Sequence, residues 1–81
     1  MSEALETRAL ELEQELPLSR REELVARLEH VRGVRLALFD ARDTRRLTVA
    51  SAPGTFSDET LLDFLRHLGV TARVVEAAAE G

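Results

Sequence analysis

Leu10, Leu12 and Leu16 alternate with Glu11, Glu13 and Glu15, a period of two that predicts a strand with one wet face over Thr7 to Leu16. Gln14 interrupts the apolar row, and glutamate and leucine are mediocre strand formers, so a helix from Ala4 to Leu16 also fits. Pro17 ends either element. The run Ser19-Arg20-Arg21-Glu22 has capping-box spacing and predicts a helix with Ser19 as its N-cap. Leu24, Val25, Leu28 and Val31 then recur on one helical side, while Glu23, Arg27 and Arg32 face water. Gly33 supplies a left-handed stop.

Val34 to Phe39 is a short apolar run broken only by Arg35, which suits a strand. The polar loop Asp40 to Arg45 leads into a second alternating segment, Arg46 to Ser51, and Pro53-Gly54 forces a turn. Ser57 is the next predicted N-cap, with Asp58 and Glu59 where the helix dipole favours negative charge. Phe56 and Leu61 have hydrophobic-staple spacing, and Leu61, Leu62, Leu65 and Leu68 form a broad apolar face with Phe64 at its edge. Gly69 stops this helix as Gly33 stops the first, and each glycine is followed by valine and a strand, the last being Thr71 to Glu76.

The predicted order is strand, helix, strand, strand, helix, strand. Two right-handed crossovers then place both helices on one face of a four-stranded antiparallel sheet, an α+β fold of the ferredoxin-like βαββαβ type. One domain over residues 1–81 is expected, with a core from about 8 to 76 and tails at 1–6 and 77–81. Gly33-Val34, Leu47-Thr48-Val49, Ser57 opening the second helix, and Gly69-Val70 occur in the order and spacing of a known family. In these features the chain resembles the heavy-metal-associated (HMA) domain, the module of copper chaperones and metal-pump tails. That resemblance implies a metal loop, Met-x-Cys-x-x-Cys, between the first strand and helix. Counted back from Gly33, the Cys-x-x-Cys window falls on Pro17-Leu18-Ser19-Arg20, and the chain has no cysteine at all.

Without thiols there is no disulfide framework, thiolate metal site or thiol chemistry, and no cofactor is expected. Soft metals such as Cu(I) need thiolate or thioether, and the one methionine is Met1, so metal binding in the inherited manner is not expected. A formal net charge of −4 argues against nucleic acid, whose phosphates need a concentrated basic face. No stretch has the length of a membrane span or the pattern of a signal peptide, so no membrane association and a cytoplasmic location are expected. All eleven basic residues are arginine, which is read as the codon bias of a GC-rich bacterial genome.

No catalytic residue is assigned: Ser19 and Ser57 are predicted caps, and His30 and His67 sit in last helical turns, where a structural role at the negative end of the dipole is expected. Two surfaces remain. Pro17, Leu18, Ser19, Arg20 and Arg21 replace the metal loop and are a candidate for binding a partner or an anion. Arg20 and Arg21 oppose the dipole of the helix they open, so they meet either something acidic or a neighbour such as Glu15. Acylphosphatase is similar in fold and holds phosphate at this loop, but its glycine-rich loop is missing here and the chain has no asparagine. The outward pair Leu36 and Leu38 is the second candidate, either covered by the C-terminal tail or docking a partner or second copy. The outward row Glu11, Glu13, Glu15 is expected as a solvated ladder flanked by Arg73 and Arg46.

These features point to a small non-enzymatic interaction or adaptor domain. The alternatives are a metal chaperone with oxygen and nitrogen ligands, and an anion- or small-molecule-binding regulatory domain.

Overall fold

The computed structural model describes residues 4–78, which form β1 (Glu6–Leu12), α1 (Leu18–Glu29), β2 (Val34–Phe39), β3 (Arg46–Ser51), α2 (Asp58–His67) and β4 (Ala72–Ala78). The strands make one sheet in the order β2-β3-β1-β4, every neighbouring pair antiparallel. Leu24 and Leu28 of α1 and Leu61 and Leu65 of α2 enter one cluster with Leu10, Leu12, Leu47 and Val49 of the central strands. Both helices therefore cover the same sheet face, and the predicted ferredoxin-like architecture is the one observed.

Three local expectations are corrected. The first strand ends at Leu12, four residues early, where Gln14 would put a polar side chain on the inward row that Leu10 and Leu12 occupy. Leu16 nevertheless turns back into the core and is 7 % exposed. The helical alternative over Ala4 to Leu16 is not adopted, since β1 pairs with a strand on each side.

Ser19 does not cap α1. Pro17 holds that position with φ −63°, and its carbonyl accepts from the amides of Arg20 and Arg21, both at 3.0 Å. Proline is preset for this φ, so the helix begins at Leu18 and Ser19 falls inside its first turn. At α2 the expectation holds: Ser57 Oγ accepts from the Thr60 amide at 3.2 Å. The segment taken as a C-terminal tail is strand as far as Ala78, with Ala77 opposite Arg8 and Ala78 opposite Thr7; residues 79–81 lie outside the described residues.

An inward charge accompanies this frame. Arg8 shares the core-facing side of β1 with Leu10 and Leu12 and is 7 % exposed. Its guanidinium donates to Asp58 Oδ1, to Ser51 Oγ at 3.2 Å and to the Phe56 carbonyl at 3.0 Å, and lies 5.3 Å from the centre of the Phe56 ring. Asp58 opens α2, so the cluster fastens the start of that helix to β1. Continued two residues back from Leu10, the alternation of β1 reaches residue 8, and that was the available signal for a buried charge.

Candidate functional site

The loop that replaces the expected metal site lies at the sheet end where β1 finishes and α1 begins, together with the hairpin 40–45 and the exit of α2. Pro17, Leu18, Ser19 and Arg20 are exposed and Arg21 is half-buried. Arg21 Nε donates to the Leu16 carbonyl at 3.0 Å, which closes the loop on itself. Arg20 reaches the Leu68 carbonyl at 3.5 Å and stands 3.6 Å from Glu23 one turn on. Its stem borders a cleft of about 230 Å³ between α1 and the end of α2, lined also by Leu16, Leu24, Arg27 and Val70. Neither arginine needs Glu15, whose carboxylate instead accepts from Thr44 Oγ1 at 2.6 Å and ties the loop to the hairpin.

The histidines behave as expected of residues in last turns. His30 Nδ1 donates to the Ala26 carbonyl at 2.8 Å and His67 Nδ1 to the Asp63 carbonyl at 2.9 Å. Among the described residues no three His, Cys, Asp or Glu side chains come together in a metal-holding group.

The open sheet face is divided, not uniformly charged. Of the expected glutamate ladder only Glu11 lies within β1, with Arg46 opposite it on β3 and Arg73 on β4. Arg73 donates to Glu11 Oε1 from Nη2 at 2.6 Å and from Nε at 3.2 Å, and Arg45 stands at 4.0 Å. The hydrogen bond from Arg73, then its charge, holds the Glu11 carboxyl below its usual range. Because the folded-state value is depressed, any stability this pair adds is present above the unfolded glutamate range and fades as pH falls through the folded value. Arg73→Gln is expected to raise the Glu11 titration toward the ordinary range by carboxyl-carbon NMR, with Arg45 and Arg46 still holding it down in part; an unmoved midpoint would contradict this account.

Away from that ion cluster the face is small and apolar. The register sets Leu36 opposite Ala50 and Leu38 opposite Thr48, and on the other side of β3 it sets Ala50 opposite Thr7 and Thr48 opposite Ala9. Ala50 is 4 % exposed with Leu36 and Thr7 flanking it, whereas Leu36 and Leu38 remain 43 % and 44 % exposed at the margin. The C-terminal strand lies at the other edge of the sheet, so its described residues do not cover this pair. On the helix side of the same edge, a groove of about 350 Å³ runs between β2 and α1 past Leu18, Val25, Ala26 and Phe39.

No protein-family model matches the chain, and no curated protein matches it either. Among solved structures, a copper-binding domain from HMA7, a P-type ATPase, superimposes with a TM-score of 0.77 at 17 % sequence identity, covering 89 % of this chain and 96 % of that one. What is shared at this identity is the fold, and the βαββαβ chain described above has the architecture of a heavy-metal-associated domain.

Proposed function

We propose that this chain is a non-enzymatic interaction or adaptor domain that keeps the HMA frame while its metal loop has degenerated. One observation carries the reading: the window where the family holds two thiolates is Pro17-Leu18-Ser19-Arg20, whose arginine is charge-repulsive to a cation and is turned toward the Leu68 carbonyl and Glu23. A serine hydroxyl is a poor ligand for a soft metal, and a guanidinium is none. The non-enzymatic part draws support from the hydroxyls. Ser51 Oγ is occupied by Arg8 and Ser57 Oγ by a helix amide, so neither is paired with a base.

Copper binding is a property of the HMA7 domain; for this chain the likeness makes proteins of metal handling the first place to look for a partner. Anion binding by the loop is less favoured, since both arginines already serve carbonyls of their own chain. Among the described residues no helix is long and apolar enough to cross a membrane.

Equilibrium dialysis against a competing chelator tests the reading. The natural chain is expected to retain neither Cu(I) nor Zn(II) stoichiometrically at sub-micromolar free metal. Pro17→Cys combined with Arg20→Cys installs two thiolates at Cys-x-x-Cys spacing and is expected to retain Cu(I). Stoichiometric metal on the natural chain would overturn the proposal.

A further inference from the structure

We infer that the cleft between α1 and the exit of α2 is a site for a small molecule that joins one carboxylate to an apolar body. The inference goes beyond the adaptor reading and does not rest on it. Leu16, Leu24 and Val70, all buried residues of the core, give the cleft an apolar lining together with Leu68. Arg20, Glu23 and Arg27 recur at helical spacing along α1 and supply its charged wall. The volume of about 230 Å³ lies between the roughly 150 Å³ cavity that encloses benzene and the roughly 300 Å³ at which drug-sized pockets begin. One ring or a short chain fits there.

The charges of the wall decide the polarity of the ligand. Arg20 stands 3.6 Å from Glu23, and its Nη2 donates to the Leu68 carbonyl at 3.5 Å, which covers the negative end of α2 where it borders the cleft. Arg27 is left over. Glu23 lies one turn before it but is turned to Arg20, and Arg27 makes no hydrogen bond or ion pair among the described residues. A guanidinium presents a planar fork of donors that a carboxylate meets with both oxygens, and the leucines and Val70 beside it take the apolar body.

One uncompensated cation selects a monoanion. A polyphosphate or an acidic peptide would bring further negative charge against Glu23 on the same wall and against a chain of net charge −4. Arg27 is exposed and pays for little desolvation, so binding is weak, with a dissociation constant of about 1 mM for a ligand of this size.

Amide NMR of the full chain titrated with 3-phenylpropionate tests the site, with acetate as the charge without the body and 3-phenylpropionamide as the body without the charge. Saturable shifts are expected at Leu16, Leu24, Leu68 and Val70, with both controls binding at least about tenfold more weakly. Arg27→Gln is expected to weaken 3-phenylpropionate by at least about tenfold, whereas Arg42→Gln, which removes the same charge from the exposed hairpin, leaves it unchanged. Both positions are exposed, and the amide spectrum of each variant shows directly that it is folded. No saturation by about 50 mM, equal binding of the amide, or an Arg27→Gln chain that binds like the natural one would overturn the inference. Metal retained by the natural chain in dialysis would overturn the functional reading and leave this site standing.

Discussion

Arg8→Ala is expected to lower the free energy of unfolding by about 2–4 kcal/mol, read from urea denaturation midpoints at unchanged slope. The generic stability of a chain this size is only about 4–12 kcal/mol, so the variant should sit near the edge of folding. The loss has several parts. Ser51, fully buried, would lose the donor on its hydroxyl, and the Phe56 carbonyl and ring would lose the guanidinium that both contact. The ion pair is the smaller part, because the Asp58 side chain is 47 % exposed and water replaces much of what Arg8 gives it. Asp58→Asn is therefore expected to cost less than about 1 kcal/mol. Arg8→Lys, which keeps the charge and loses the planar fork, should fall between the two. If Arg8→Ala melts within about 0.5 kcal/mol of the natural chain, the cluster is not what anchors α2.

Gly33→Ala is expected to cost about 2–4 kcal/mol and Gly69→Ala about 1 kcal/mol, although the two glycines occupy matching helix exits. Both have left-handed backbones, φ +94° and +81°, which any side chain strains. They differ in what surrounds them. A Cβ on Gly33 would run into Thr55 Cγ2, with Thr55 Cβ and Oγ1 at 2.9 Å, whereas a Cβ on Gly69 would meet open space. Thr55 cannot swing away freely, because its hydroxyl donates to the Ala52 carbonyl, and the Ala52 amide is bound to the Gly33 carbonyl at 2.8 Å. The α1–β2 exit and the β3–α2 turn are thus one packed joint. Equal losses from the two substitutions in the same denaturation assay would refute the contrast.

That contrast marks the boundary between what the chain declares and what it withholds. The six elements were legible because each is written locally: period two in Leu10-Glu11-Leu12 and Leu47-Thr48-Val49, helical spacing in Leu24-Leu28 and Leu61-Leu65, and glycine at both helix exits. Their order was enough to reach the βαββαβ architecture, since handed crossovers leave few ways to join them. The composition of the loop at 17–20, with no sulfur ligand, was equally plain. Fine boundaries were not, because Pro17 competes with Ser19 for the cap and only backbone geometry decides between them.

The environment of particular side chains belonged to the tertiary structure alone. Arg8 finds Asp58 fifty residues away, Arg73 finds Glu11 sixty-two away, and Arg20 finds the Leu68 carbonyl forty-eight away. No local period encodes such meetings. The alternation that marked residue 8 as inward could not say that a helix start, a hydroxyl and a ring would be waiting there. Nor could it say that the small residues Thr7, Ala9, Thr48 and Ala50 would share the open face with Leu36 and Leu38, because register is settled by how whole strands bury their apolar rows against both helices.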